Sequence, residues 1–270
     1  MYYLKNHFLR IRYKKSFVKI QYRYLVMILL GGMPVLNAQA QENLYDDIKK
    51  YYKQIEISEN TYSPPVKFIS QNEIPAIDGR KIFQIMLIRH GVPKIEKKGW
   101  VTFYDARDFV EAYDTVEIYE IKKSPVEVRS GEVQHVYSSP LQRAKSTALL
   151  LFGEDYEIRY DSSFIEFKNE IIPLPWIRLP LKCWRVSSRL IWMAGLHSSR
   201  VRSLPTEKQR TRGVAARLDR LAHYEKRVVL VAHGFFNRYL IRYLKKKGWR
   251  HSFDGGFDYT NVQVLTKIEE

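Results

Sequence analysis

Residues 81–91 read KIFQIMLIRHG, an apolar run that ends in Arg89-His90-Gly91. Short and nearly continuous apolar runs are typical of central strands that are buried on both faces of a sheet. A second run of this kind, residues 228–232, leads into His233-Gly234. Two shorter strands are predicted at residues 134–137 and 156–160. The sequence therefore predicts a sheet in which two strands end in a histidine followed by a glycine.

Helical patterns follow these strands along the chain. Ser139-Pro140, an apolar stripe and Gly153 predict a helix with Ser139 as N-cap and proline in its first position. Thr206 is the predicted cap of a second helix, and a third follows Gly234 and closes with the lysines of residues 245–247. Strands and helices in alternation predict an α/β fold that is doubly wound, with a mostly parallel sheet and helices on both faces.

The two histidines are expected to meet at one edge of the sheet. Ligands bind beyond the carboxyl ends of the strands in an open α/β sheet, so His90 and His233 face one crevice. Arg143 falls in the first turn of the helix that follows Ser139, where a guanidinium and the positive helix end favour a phosphate. A neutral imidazole can attack phosphorus, and cations stabilise the transferring group. This predicts phosphoryl transfer to His90, with Arg89, Arg143 and a protonated His233 as cations and with no metal or cofactor required.

Three motifs together resemble a known family. They are Arg89-His90-Gly91 after a strand, the turn Ser138-Ser139-Pro140-Leu141-Gln142-Arg143, and Val231-Ala232-His233-Gly234. In this order they resemble the histidine phosphatase superfamily, in the branch that includes cofactor-dependent phosphoglycerate mutases, over residues 81 to about 268. The resemblance implies that His90 takes the phosphoryl group while Arg89, Arg143 and His233 hold it.

The resemblance also implies a carboxylate that protonates the leaving oxygen, in a loop after the strand at residues 156–160. Glu166 fits that place, and Glu170 is the alternative because loop boundaries read from sequence shift by a few residues. The sequence after Gly91 departs from the family pattern. Val92-Pro93-Lys94 stands where many members have a Ser or Thr and then an Asn that help to bind phosphate. This departure disfavours a mutase activity.

An insertion from about residue 166 to 205 is expected to form a helical cap, which in this superfamily covers the active site and selects the substrate. Aromatic and basic residues are mixed there, namely Trp176, Trp184, Trp192, Arg178, Lys182, Arg185, Arg189, Arg200 and Arg202. Such a mixture suits a substrate with an anionic group and an apolar or ring-shaped part. A hydrophobic cap with solvated arginines explains the composition equally well.

Residues 1–40 have the order of a secretory signal peptide. The segment contains seven basic residues and no acidic residue. An apolar run follows at residues 24–36, and Ala38-Gln39-Ala40 then supplies small residues at the expected cleavage site. The apolar run is shorter than the ~20 residues of a spanning helix. We expect an exported protein, in the bacterial periplasm, with no stable membrane span after signal cleavage. The alternative is a membrane anchor formed by the uncleaved N-terminal segment.

The remaining chain is divided at residue 80. Residues 41–80 are predicted to be an N-terminal helix, at residues 42–56, and an extended linker. Residues 81–270 are the predicted catalytic domain, which can bury one substantial core.

Charge and cysteine content limit the other functional classes. The formal net charge of +16 falls to +9 without the seven N-terminal basic residues, and it suits an anionic substrate or an envelope surface. No nucleic-acid-binding motif accompanies it, so no nucleic-acid partner is expected. The one cysteine, Cys183, excludes an internal disulfide framework.

The sequence favours a phosphatase that hydrolyses a small phosphorylated substrate. A phosphoglycerate mutase-like phosphotransferase uses the same nucleophile and is one alternative. A non-catalytic phosphate-binding envelope protein is the other. The sequence leaves the oligomeric state open.

Overall fold

The computed structural model of the chain describes residues 65–68, 81–96, 99–174 and 176–269. The strands are β1 (Lys81–Arg89), β2 (Trp100–Val101), β3 (Val136–Ser138), β4 (Ile158–Tyr160), β5 (Leu179–Pro180), β6 (Arg227–Ala232), β7 (Arg250–Asp254) and β8 (Val262–Glu269). The helices are α1 (Phe103–Thr115), α2 (Gln142–Phe152), α3 (Leu181–Met193), α4 (Leu204–Glu225) and α5 (Gly234–Lys245). A 3-10 turn covers Ser162–Phe164.

The predictions for the signal peptide, the helix at 42–56 and most of the linker lie outside the described residues. Within the described ranges, every helix is too short or too polar to cross a membrane.

A six-stranded mixed sheet has the strand order β4-β3-β6-β1-β8-β7. The first four strands are parallel, whereas β8 is antiparallel to β1 and β7 is antiparallel to β8. The register pairs Arg89 with Ala232 and Ser138 with Val231, so the carboxyl ends of β1, β6 and β3 meet at one edge. This confirms the predicted α/β fold with a mostly parallel sheet. β3 lies slightly later than the predicted residues 134–137.

Residues of β1 alternate between two hydrophobic cores, one on each face of the sheet. Ile85 and Leu87 pack on one face with residues of α4 and α5. Met86 and Ile88 pack on the other face with residues of α2. Each such side chain contributes about 1.5–3 kcal/mol when it is fully buried. Helices therefore cover both faces as predicted, and this explains why the strand is apolar at nearly every position.

The start of α2 differs from the predicted one. The helix begins at Gln142 with Leu141 as N-cap, and no side chain accepts a capping hydrogen bond there. Leu141 has extended backbone angles, so the two residues before it lie outside the helix. The predicted cap, Ser139, is turned into the crevice instead, where its hydroxyl lies 2.8 Å from Nε2 of His233. The N-cap prediction for Ser139 was therefore wrong.

The start of α4 also lies earlier than predicted. Ser203 is its N-cap and accepts the backbone N–H of Thr206 at 3.4 Å. Thr206, the predicted cap, therefore lies inside the first turn. Pro205 is tolerated in that turn because its missing N–H has no intrahelical partner there.

The region above the sheet is built from two segments of the chain. The segment from about 166 to 205 contributes β5 and α3, and residues between β1 and β3 contribute β2 and α1. The two segments are joined where the indole of Trp184 donates to the carbonyl of Val101 at 3.0 Å. The sequence indicated only the first segment, because the second carries no recognisable motif.

Candidate active site

Two backbone hydrogen bonds extend the sheet beyond the ends of its central strands. The N–H of His90 donates to the carbonyl of Ala232, and the N–H of Ser139 donates to that of Val231, both at 3.0 Å. The imidazole centroids of His90 and His233 lie 5.1 Å apart. The structure therefore brings the two predicted histidines together at one edge of the sheet.

The ring of His90 is held in one tautomer. Nδ1 lies 2.8 Å from the carbonyl of Gly91, which can only accept, so Nδ1 carries the proton. Nε2 accepts from Nε of Arg143 at 3.2 Å, so Nε2 carries the lone pair and directs it at the guanidinium. Burial, and then the charges of Arg143 and Arg89, lower the pKa of His90 well below its ordinary value. His90 is therefore a neutral imidazole with a nucleophilic Nε2.

Arg143 is a buried residue, although it lies in the first turn of a helix near the surface. Its side chain is 2% exposed. Nη1 donates to Oδ1 of Asp114 at 2.7 Å and to the carbonyl of Tyr113 at 2.9 Å. These contacts from the end of α1, together with the contact to His90, fix the guanidinium at the nucleophile.

Arg89 approaches the same point from β1. Its guanidinium carbon lies 4.0 Å from the centroid of the Tyr259 ring, and Nη1 donates to the carbonyl of Phe257. Nε of Arg89 is buried and has no hydrogen-bond partner among the described residues. A Cβ at Gly234 would lie only 3.1–3.3 Å from this side chain, so any larger residue would have to displace the guanidinium by a few tenths of an ångström. The structure places both predicted arginines beside His90.

His233 is buried and is oriented by the hydroxyl of Ser139. Nε2 lies 2.8 Å from Oγ of Ser139, whereas Nδ1 has no partner among the described residues. Burial, and then the charge of Arg143, lower the pKa of His233 well below its ordinary value. The surroundings therefore favour a neutral imidazole, in contrast to the protonated His233 expected from sequence.

The carboxylate of Glu166 lies at the N-terminus of α5. Oε1 accepts the backbone N–H groups of Phe167 and Phe236, both at 2.9 Å, and Oε2 accepts that of Phe235 at 3.1 Å. The first N–H groups of a helix have no intrahelical partner and attract negative charge. Glu166 is thus tied to the helix that directly follows His233.

Glu170, the alternative proton donor, lies elsewhere. Its Oε2 accepts the backbone N–H of Ser198 at 3.4 Å, within the segment that follows α3. Glu166, in contrast, is bound to the helix that follows His233 and lines a cavity of about 140 Å³ together with Arg143 and Asp114. The position of Glu166 therefore suits the predicted role better than that of Glu170.

Two arginines hold the loop that carries Glu166. Arg210 of α4 donates to the carbonyl of Ile165 at 2.9 Å and also to that of Ser163, on the N-terminal side of Glu166. Arg189 of α3 donates to the carbonyl of Phe167 at 2.9 Å, on the C-terminal side. The loop is therefore fixed on both sides of the carboxylate.

The chain after Gly91 has a structural role in this arrangement. The N–H of Lys94 donates to the carbonyl of Glu117, and the N–H of Tyr119 donates to that of Val92, both at 2.8 Å. The side chain of Lys94 is exposed. This short antiparallel pairing lies just beyond α1, the helix that delivers Asp114 to the site.

Sequence reasoning missed several contributors to the site, namely Tyr113, Asp114, Ser139 and Tyr259. Ser139 stands inside a recognised motif but was interpreted as a helix cap. The other three lie in segments without a motif, so only their long-range contacts identify them.

The profile of the histidine phosphatase superfamily (branch 1) matches residues 85–270. The chain belongs to this superfamily, which confirms the resemblance carried by the three motifs. No curated protein matches the chain at a significant level.

Several solved structures are similar to the chain at low sequence identity. A phosphoserine phosphatase from Entamoeba histolytica, in complex with phosphoserine, is 17% identical and covers 69% of this chain and 95% of its own, with a TM-score of 0.39. A mycobacterial glucosyl-3-phosphoglycerate phosphatase is 20% identical and covers 69% and 91%, with a TM-score of 0.39. A mycobacterial hydrolase is 20% identical and covers 69% and 82%, with a TM-score of 0.42.

Proposed function

We propose that the protein is a phosphomonoesterase that works through a phosphohistidine on His90. The observation that carries this proposal is the tautomer of His90, a buried residue whose Nε2 carries the lone pair and lies beside Arg143. Nε of Arg89 and Nδ1 of His233 have no hydrogen-bond partner among the described residues, and they are two further groups that suit phosphoryl oxygens. Superfamily membership supports a small phosphorylated substrate.

In the first step, Nε of Arg143 moves its hydrogen bond from Nε2 of His90 to a phosphoryl oxygen. The released lone pair of Nε2 forms a bond to phosphorus while the bond from phosphorus to the ester oxygen breaks. The leaving oxygen takes a proton from the carboxyl group of Glu166 and departs as an alcohol. Arg89 and Arg143 stabilise the charge on the phosphoryl oxygens in the transition state. Ser139 donates to Nε2 of His233, which leaves the proton on Nδ1 to donate to the phosphoryl group.

In the second step, water attacks phosphorus and the bond between phosphorus and Nε2 breaks. The carboxylate of Glu166 takes the proton of the water, and phosphate leaves. Glu166 ends as a carboxyl group and His90 as a neutral imidazole, so the cycle closes with no other reactant.

Trapping of the phosphoenzyme tests this proposal. The protein is mixed with phenyl [³²P]phosphate and quenched in alkaline detergent, because phosphohistidine survives base and is lost in acid. We expect an alkali-stable, acid-labile label, and we expect His90→Ala to lose both the label and the hydrolysis. His197→Ala removes an exposed histidine and serves as the matched control, with full activity. Unchanged hydrolysis in His90→Ala would refute the proposal.

The same assay separates the two alternatives. A phosphotransferase would keep its label in plain buffer and release it to an added phosphoglycerate. A non-catalytic phosphate-binding protein would bind phosphate in calorimetry and take no label.

We also propose that residues 1–40 direct export, with retention as a membrane anchor as the alternative. The charged, apolar and small-residue order of the segment supports this. Fusion of residues 1–60 to a reporter that is active only outside the cytoplasm tests export. Mass spectrometry of the mature N-terminus distinguishes cleavage from anchoring.

A further inference from the structure

The cavity beside the reaction centre has aromatic walls. It opens next to Arg143 and Glu166, and Phe109 and Tyr113 of α1 and Phe167 of the Glu166 loop line it. Its volume is about 140 Å³. An apolar cavity of about 150 Å³ accommodates a benzene ring, so this one has room for a ring-sized leaving group.

The charged residues of this cavity are mainly basic. Among the described residues of its lining, the cations are Arg143, Lys168, Arg185 and Arg189, and the acids are Asp114 and Glu166. The cations thus outnumber the acids by two, in a cavity that already lies beside the phosphate-binding arginines. A second negative charge on the substrate matches this lining better than a neutral alcohol does.

The position of Arg185 relates it to the aromatic residues of the cavity. Its guanidinium carbon lies 5.2 Å from the centroid of the Tyr113 ring and 5.8 Å from that of Phe109. Arg189 is buried and donates to the carbonyl of Phe167, and Lys168 is exposed. The charge of Arg185 is therefore placed along the aromatic wall of the cavity.

We infer that Arg185 is a specificity-determining residue, which selects leaving groups that carry a carboxylate on a flat apolar body. A guanidinium presents parallel N–H groups that match a carboxylate, while the aromatic wall packs against the ring. The inference rests on the proposed function and names the substrate class of the same site: carboxylated aryl phosphates or phosphomonoesters of similar shape.

A pair of matched substrates tests this inference. 4-Carboxyphenyl phosphate carries the second charge, and 4-carbamoylphenyl phosphate is its neutral amide of nearly the same shape. We expect kcat/KM to favour the carboxylate by about tenfold or more, since a charge-assisted hydrogen bond is worth at least that factor. Arg185→Gln is expected to bring the ratio close to one. Arg185→Lys, which keeps the charge without the fork, is expected to give an intermediate ratio.

Lys182→Gln is the control, because it removes a cation from the exposed side of the same helix. Competition by benzoate against benzamide adds a binding readout, and benzoate is expected to inhibit better only where Arg185 is intact. If both substrates are hydrolysed at similar rates, or if the preference survives Arg185→Gln, the inference is wrong and the proposed function stands. If neither substrate is hydrolysed, the proposed function fails and the inference falls with it.

Discussion

Replacing Glu166 by glutamine separates its chemical role from its structural one. The carboxylate accepts one backbone N–H at Oε2 and two at Oε1. Glutamine can place its amide oxygen at the Oε1 position, but its amide nitrogen then faces the N–H of Phe235. Two donors face each other in that arrangement, and the negative charge at the start of α5 is lost.

The expected loss of stability follows from these contacts. An unsatisfied buried donor costs about 1–3 kcal/mol, and a charge at a helix end contributes about 0.3–1 kcal/mol. The free energy of unfolding should fall by about 1–4 kcal/mol, which lowers Tm by roughly 2–16 °C in a domain of this size. Urea denaturation and thermal melting of Glu166→Gln measure this change.

The expected kinetic effect depends on the leaving group. Phenyl phosphate releases a poor leaving group that requires a proton, so its phosphorylation step should slow by about 10²–10⁴. 2,4-Dinitrophenyl phosphate releases a phenolate that needs no proton, so that step should slow by less than about tenfold. Rapid-quench measurement of phosphoenzyme formation with both substrates isolates the step.

Glu170→Gln is the matched control, because it removes the alternative carboxylate and leaves the contacts between Glu166 and α5 in place. It should slow neither substrate. An equal slowdown of both substrates by Glu166→Gln would remove Glu166 from the proton-donor role. A leaving-group-dependent loss in Glu170→Gln would transfer that role to Glu170.

Three further outcomes follow from the site. Arg210→Gln should lower kcat/KM for phenyl phosphate by about tenfold or more by releasing the loop of Glu166, with little change in kcat/KM for the dinitrophenyl ester; kcat/KM reports the steps up to loss of the leaving group, and equal losses of kcat/KM would contradict the prediction. Ser139→Ala leaves Nε2 of His233 unpaired, so the free energy of unfolding should fall by about 1–3 kcal/mol. Vanadate should also bind more weakly, as measured by calorimetry, and unchanged values of both quantities would argue against this contact. The pKa of His90 is lower in the folded state than its ordinary value of 6.5, so the unfolded chain binds a proton more readily as the pH falls below that value. Stability is therefore lost between pH 6.5 and the folded pKa, by about 1.4 kcal/mol for each unit between the two pKa values. His90→Asn should reduce the pH dependence of the free energy of unfolding, measured in urea between about pH 7.5 and 5.

The central strands and their histidines were predictable because a strand that is buried on both faces has a recognisable, nearly continuous apolar sequence. β1 and β6 are apolar at nearly every position, and each is followed directly by the residue that enters the crevice. The pattern also located Arg143, which lies within a few residues of a strand end. The loop of Glu166 came from the resemblance to the superfamily, which implies a carboxylate after the next strand.

The remaining parts of the site depend on contacts that no local pattern encodes. Asp114 lies 29 residues from Arg143 in sequence and reaches it only because α1 is brought back over the sheet. Serine is a preferred helix N-cap residue, so Ser139 was a reasonable prediction. The helix nevertheless begins after Leu141, whose backbone is extended, and Ser139 therefore lies outside it. The protonation of His233 was misjudged because its burial and the guanidinium of Arg143 act together in three dimensions.

The three hydrogen bonds to Glu166 couple proton transfer to the order of a loop. A protonated carboxyl group is a weaker acceptor, and its O–H cannot face a backbone N–H. The form of Glu166 that is ready to donate must therefore give up at least one of its contacts to α5, and the form that has donated regains it. Under the proposed mechanism, the loop that carries Glu166 is looser before the bond from phosphorus to the ester oxygen breaks, tighter in the phosphoenzyme, and looser again once the bond from phosphorus to Nε2 of His90 has broken. Amide exchange at Phe235 and Phe236 during turnover is then a direct record of the proton on Glu166.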